Sequence, residues 1–185
     1  MSFPHREHPW LDASVSTDDR VSLLLDHMTL AEMVGQLHQT ANLDPVLDAE
    51  LLATGAVGST LLASGATAGN VRDGGITRSR IDALQRAALE TSRLGIPLLI
   101  ARDVIHGHRT VFPIPLGLAA SFDETLLFDT SQRAALEASA DGITWTFAPM
   151  VDLVEDPRWG RVAESLGESA LATSRLGAAM VRGFQ

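Results

Sequence analysis

The sequence predicts an α/β fold in which strands and helices alternate in the order β-α-β-α-β-α, and three observations carry that prediction. Short apolar runs bounded by glycine or proline recur at residues 56–62, 97–103 and 146–152. Between and after them lie longer stretches whose apolar residues return every three or four positions, the period of a half-buried helix. The joints are also lopsided: the helix-to-strand joints are Leu94-Gly95-Ile96-Pro97 and Asp141-Gly142, whereas the strand-to-helix joints cover 63–78, 104–120 and 153–167. The usual joint is ~2 to 6 residues long. In folds of this class ligands gather at the carboxyl ends of parallel strands, so chain length spent there predicts a binding face.

Residues 1–15 hold two prolines and no periodicity, which predicts an irregular arm ahead of a single domain over 16–185. A first helix begins near Ser16 or Thr17, with Asp18 and Asp19 in its first turn and Val21, Leu24, Leu25 and Met28 on one face. A second follows at once: Thr29 and Glu32 have the spacing of a capping box, and Leu30, Met33, Val34 and Leu37 continue the apolar face. After the strand at 56–62, the helix over 79–93 turns Ile81, Leu84, Ala88 and Leu89 inward and closes at Leu94-Gly95. The next strand ends on a carboxylate, Asp103. A capping box from Ser121 to Glu124 opens a helix through Leu126, Leu127, Thr130 and Ala134 that stops at Asp141-Gly142. The third strand ends near Asp152, and a last helix after Ser165 and Glu168 runs through Leu171, Leu176 and Met180.

Composition narrows the chemistry. The chain has 185 residues, is 45% hydrophobic, carries a formal charge of -9 and has no cysteine. The acidic balance argues against nucleic acid or an anionic membrane as partner and leaves a neutral ligand as the better fit. Without cysteine there is no disulfide, no thiolate metal site and no cysteine nucleophile. All fourteen basic residues are arginine, so a P-loop lysine, a Schiff-base lysine and a carbamylated-lysine metal bridge are excluded as well. The N-terminus, Met-Ser-Phe-Pro-His-Arg-Glu-His-Pro-Trp, has no apolar core, and no later run approaches membrane-spanning length, which predicts a cytoplasmic chain.

Chemistry concentrates where two strands end. Thr146 through Arg161 runs from an apolar strand into a loop crowded with carboxylates, guanidiniums and an indole, and Pro97 to Asp103 supplies a second wall. His106 and His108 have the His-x-His spacing of a metal-dependent amidohydrolase. No histidine follows position 108 and no lysine is present, so a metal would have too few ligands, and neither metal nor cofactor is expected. Phe112-Pro-Ile-Pro115 and Gly117 shape the second loop and offer a candidate for a cis X-Pro bond.

Together these stretches resemble the N-terminal part of a family 3 glycoside hydrolase of the β-glucosidase type. The matching runs are Met28-Thr-Leu-Ala-Glu-Met-Val-Gly-Gln36, Ser92-Arg-Leu-Gly-Ile-Pro-Leu98, Asp103-Val-Ile-His-Gly107, Arg109-Thr-Val-Phe-Pro113 and Thr146 through Arg161, in family order. The resemblance implies a partial TIM (β/α)8 barrel: the first three βα units, preceded by two helices. A whole barrel takes roughly 250 residues. It implies further that the Lys-His pair that grips the sugar, the Asp nucleophile in a Ser-Asp-Trp-like stretch and the acid/base Glu lie outside this chain, which holds no lysine and no Ser-Asp-Trp.

Retaining glycosidases need a nucleophile and an acid/base carboxyl ~5 to 5.5 Å apart, together with hydrogen bonds to hydroxyls that strengthen in the transition state. By the resemblance, this segment supplies the hydrogen bonds and no catalytic carboxyl. Asp103 is implied to accept from hydroxyls of the sugar in the cleaved position. Arg158 is implied to donate to neighbouring hydroxyls or to Asp103, its alternative being a loop ion pair with Asp156 or Glu155. Behind them stand Arg161 and Glu164, three residues apart and suited to pairing with each other, and His106, a loop brace. Trp159 either stacks on a sugar face or anchors the loop. His108 stands where the family tolerates variety, and Arg102 replaces an aromatic residue often found there. The expected partners are a β-glucoside or short oligosaccharide and either the rest of the barrel or another copy of the chain. The alternative function is non-catalytic, a truncated or designed fragment that self-associates or binds a partner.

Overall fold

The computed structural model describes residues 8–62 and 78–185, so the start of the arm and most of the 63–78 joint lie outside the described residues. Two compact units emerge: one from the described residues up to Leu61 together with Asp82–Leu99, the other from those of Leu62–Ile81 together with Ile100–Gln185.

In the first unit, α1 (Thr17–His27) is capped by Ser16, whose side chain accepts from the Asp19 N–H. Helix α2 (Leu30–Gln36) has the predicted capping box in full, with Thr29 and Glu32 satisfying each other's backbone N–H groups. The apolar faces predicted for these helices are not buried. Val21, Leu25, Leu30, Val34 and Leu37 are exposed, and α2 buries Glu32 and Gly35 instead. Packing explains this: a Cβ on Gly35 would lie 2.0 Å from the Gly55 carbonyl oxygen, so α2 turns its glycine side against the chain, and the leucines point away.

The next two elements were not predicted. Strand β1 (Gln39–Ala41) pairs in parallel with β2 (Ser59–Leu61), in register Gln39 to Ser59, and α3 (Ala49–Ala53) connects them. Helix α4 (Arg78–Thr91) and β3 (Leu99–Ala101) follow as predicted, and the sheet order is β1-β2-β3. Gln85 ties α4 to the chain entering β3 through both ends of its amide, accepting from Leu98 N–H at 3.0 Å and donating to Leu98 O at 2.8 Å.

The second unit carries the remaining βα pattern. Ala101 bridges in parallel to Trp145, with Arg102 N–H donating to the Trp145 carbonyl and Trp145 N–H to that of Ile100. That bridge is all the described structure has of the strand predicted at 146–152. Pro149, which follows a cis bond from Ala148, brings no N–H to a ladder, and no ladder forms over 146–152 among the described residues. This is the only cis bond there; those in 112–115 are trans. Helix α5 (Pro115–Ala119) interrupts the second long joint, with Pro115 in its first turn.

Helix α6 (Glu124–Ala140) is not opened by a Ser121 to Glu124 box. Its cap is Asp123, whose carboxylate accepts from the Thr125 and Leu126 N–H groups, while Ser121 Oγ accepts from the Asp123 N–H. A charged acceptor at a helix N-terminus outcompetes a hydroxyl two residues further out. Helix α7 (Ala170–Phe184), capped by Ser169, lies so close to α6 that a Cβ on Gly183 would sit 2.4 Å from the Phe128 carbonyl oxygen. Leu118, Ala119, Leu127, Leu166, Leu176 and Met180 form the core of this packing.

Candidate functional site

The candidate site lies wholly in the second unit, on two loops: residues 102–114, after β3, and residues 146–169, after the Trp145 bridge. Ile100 and Ala101 are fully buried, so β3 is a fixed post from which Asp103 emerges exposed. The Ile105 N–H donates to the Asp103 carboxylate, which orients it from within its own loop. Burial by the surrounding protein, and then the charge of Glu164, push the Asp103 carboxyl above the usual carboxylate value. Ile105, Arg161 and His106 act in the opposite sense. Asp103 thus shares its surroundings with His106, Arg161 and Glu164.

The second loop reaches this cluster through a short 3-10 turn, Val162–Glu164. It places Glu164 so that both of its oxygens take the Arg161 fork, from Nε at 3.0 Å and Nη2 at 2.7 Å. That pair holds the Glu164 carboxyl below its usual value. Arg161 also feels the charges of Asp103 and Asp152. The pair expected between Arg161 and Glu164 is therefore formed, and both charges lie within electrostatic reach of Asp103.

Arg158 is not brought to Asp103. Its side chain is 88% exposed and, among the described residues, its charge is engaged by Asp156, with Nε 3.0 Å from each oxygen and Nη2 2.5 Å from Oδ2. A two-residue separation lets the guanidinium fold back onto the nearest carboxylate of its own turn, so of the two arrangements open to it in the sequence, the loop ion pair is the one present. Trp159 is half-buried, and its backbone N–H donates to the Asp156 carbonyl, closing that turn.

His106 braces the first loop as expected. Its Nδ1 lies 2.9 Å from the Phe112 carbonyl, the Phe112 N–H donates back to the His106 carbonyl, and Gly107 bridges antiparallel to Val111. Gly107 adopts φ 131°, and a Cβ there would be 2.0 Å from the Thr110 carbonyl oxygen, so only glycine closes this hairpin.

Sequence reasoning missed what lies beneath. His108 is fully buried, with Nε2 2.7 Å from Asp141 Oδ2, and Arg109 grips the same carboxylate through Nε at 3.0 Å and through Nη2. One turn earlier on α6, Glu137 accepts from the N–H groups of Arg109 and Thr110, at 3.0 and 2.7 Å, and from the Thr110 hydroxyl at 2.7 Å. Burial opposes ionisation of Glu137, but these bonds and the one from Arg133 bring its carboxyl down to about 2. The only local trace was Asp141-Gly142, which signals a helix stop and nothing more.

The arrangement can accept and donate hydrogen bonds at the end of β3; it has no group of three or more metal-ligating side chains among the described residues. No helix among them is long and apolar enough to cross a membrane.

The family profile described as "Glycosyl hydrolase family 3 N terminal domain" matches residues 29–185. A periplasmic β-glucosidase of Salmonella typhimurium is 40% identical over 171 residues, 91% of this chain and 21% of its own length. A probable β-glucosidase C of Aspergillus flavus is 34% identical, over 94% of this chain and 30% of its own. Among solved structures, a β-glucosidase from Listeria innocua in complex with glucose has a TM-score of 0.76 at 40% identity, over 92% of this chain and 24% of that one. A β-N-acetylglucosaminidase of the same family from a Paenibacillus has a TM-score of 0.71 at 26% identity, over 85% of this chain and 31% of its own. The chain thus spans about a fifth to a third of the length of the curated relatives named here.

Proposed function

Because the chain belongs to glycosyl hydrolase family 3, we propose that it is a segment of a retaining β-glycosidase that removes terminal non-reducing β-D-glucosyl residues, and that its part is to hold the sugar. The observation that carries this is the gathering of Asp103, His106, Arg161 and Glu164 at the carboxyl end of β3. A carboxylate accepts from hydroxyls and cannot donate, while a guanidinium fork donates and cannot accept, so the two together sort the orientation of a polyol. Arg161 takes the donor role that the sequence alone assigned to Arg158. Glucose as the sugar draws support from the glucose and laminaribiose complexes of the Listeria innocua relative.

With the nucleophile and acid/base outside this chain, its residues contribute orientation and charge. The Arg161–Glu164 pair fixes the guanidinium, and Ile105 fixes Asp103, so both are aimed before a sugar arrives. In the full-length protein that contains this segment, Asp103→Asn should lower kcat/KM for 4-nitrophenyl β-D-glucoside by several powers of ten while leaving the fold intact. Charged hydrogen bonds run about 1.5 to 3 kcal/mol each, and an amide replaces at least two of them poorly. Near wild-type kinetics would remove Asp103 from the site.

A second reading, a non-catalytic fragment that associates with copies of itself, is favoured by one observation. Leu30 and Leu37 on α2 are 76% and 87% exposed, more apolar surface than a lone chain leaves wet without consequence.

A further inference from the structure

We propose that Glu137 and Asp141, at the carboxyl end of α6, are positioning residues: they clamp the hairpin 106–112 and thereby aim the Asp103 carboxylate. The inference rests on the reading of Asp103 as a hydroxyl acceptor and adds what holds it in place.

Burial seats the root of that loop, with Val104 1% and Ile105 6% exposed, but Arg109, Thr110 and Val111 at its tip are exposed and need another restraint. Asp103 lies outside the sheet, two residues beyond the last residue of β3, and its carboxylate is oriented by the Ile105 N–H. Ile105 is joined directly to the hairpin whose stem is the His106 and Phe112 exchange and whose turn requires Gly107. A hairpin of this size is marginal by itself. Without a further restraint the exposed tip would be free to swing, straining the stem that joins it to the buried Ile105.

Two carboxylates prevent this. Glu137 takes two successive backbone N–H groups at the tip, those of Arg109 and Thr110, in the manner of an anion seated on a backbone nest. The Thr110 hydroxyl and Arg133 occupy its other oxygen, so Glu137 is saturated and its position set from both sides. Asp141, 5% exposed, takes His108 on one oxygen and spans Arg109 with both. Three consecutive residues of the loop, 108 to 110, are thus fastened to two consecutive turns of a seventeen-residue helix. Both anchors face the loop from α6, the longest rigid element of the unit, and neither touches the Asp103 cluster by any bond the structure shows. Their effect on a sugar can reach it only through the geometry of the loop.

A misplacement of about 1 Å at a positioning group can cost about a hundredfold in rate. The test is a double-mutant cycle in the full-length protein, with 4-nitrophenyl β-D-glucoside as substrate. Glu137→Gln and Asp141→Asn should each lower kcat/KM by about ten- to hundredfold, mostly through kcat, in the wild-type background. In an Asp103→Asn background the same changes should cost less than about twofold, because the group they aim is already gone. Equal losses in both backgrounds would mean general damage and would overturn the inference, as would an active enzyme indifferent to both changes. Asp141→Asn leaves His108 buried against an amide; if it does not fold, Glu137→Gln and Thr110→Val, at an exposed residue, decide by the same criterion. A full-length protein without glycosidase activity would overturn the proposed function and this inference with it.

Discussion

Two arginines three residues apart on one loop should behave as opposites. Arg158 is 88% exposed and bound to Asp156, itself 47% exposed, so the pair is screened by solvent and contributes little to stability. Replacing it with alanine should change kcat/KM by less than about fivefold, the equivalent of about 1 kcal/mol. Arg161 lies within electrostatic reach of Asp103, with its fork held by Glu164. One charged hydrogen bond to a hydroxyl, about 1.5 to 3 kcal/mol, makes Arg161→Ala cost about ten- to hundredfold or more. A second consequence separates the two residues further. Burial and Glu164 already raise the Asp103 carboxyl, and Arg161 is among the groups that lower it. Without Arg161 the carboxyl rises further, and the released Glu164 charge adds to the rise. Asp103 accepts most strongly from hydroxyls when ionised, so the acid limb of kcat/KM should move to higher pH in Arg161→Ala and stay in place in Arg158→Ala. Steady-state kinetics of the full-length protein across the acid range measure both effects. Equal losses from the two variants, or an acid limb that does not move in Arg161→Ala, would refute the assignment.

Glu32 should act as a pH-dependent clasp of the first unit. Its carboxyl is lowered from 4.5 to about 2, first by the Arg93 guanidinium and, against the cost of burial, by Thr29. A folded value below the unfolded one stabilises above about pH 4.5, and that stability is lost as pH falls toward about 2. At about 1.36 kcal/mol per pH unit this is at most about 3 kcal/mol, and screening at Arg93, 55% exposed, reduces it to about 1 to 2 kcal/mol. Urea unfolding should therefore separate Glu32→Gln from wild type at pH 7 and bring them together near pH 2; a gap independent of pH would contradict the clasp. The 185-residue chain alone should not hydrolyse aryl β-glucosides and should associate through exposed residues such as Leu30 and Leu37, which light scattering reports; a monodisperse monomer with sharp melting would count against an incomplete barrel.

What the sequence disclosed and what it hid divide by the distance over which each interaction acts. The capping box of α2 was legible because Thr29 and Glu32 are three residues apart, while the Arg93 contact that lowers the Glu32 carboxyl spans 61 residues and leaves no local pattern. Strand β1, the polar tripeptide Gln-Thr-Ala, has no alternation to detect, and its pairing with β2 is made by backbone groups common to every sequence. At the site, the loop from 153 onward was recognisable by its chemistry, but which carboxylate each arginine would meet was not. A 3-10 turn puts Glu164 within reach of Arg161, and an Asp156 turn captures Arg158. The clamp was hidden most deeply, since Asp141 reaches His108 and Arg109 across 33 and 32 residues. Yet a physical expectation was available. A joint as long as 104–120, far beyond the usual ~2 to 6 residues, loses too much conformational entropy to hold a catalytic-site acceptor still by its own turns. Something rigid must bind its tip, and the nearest long helix in sequence is α6, which follows the joint. Acidic residues near that helix's end, where they oppose the helix dipole, contribute nothing favourable to the helix itself. Glu137 and Asp141 sit in that unfavourable position, and the loop's N–H groups, His108 and Arg109 are what make it tolerable. Carboxylates in the last turns of a helix that follows an unusually long strand-to-helix joint are therefore where the anchor of such a loop should be sought.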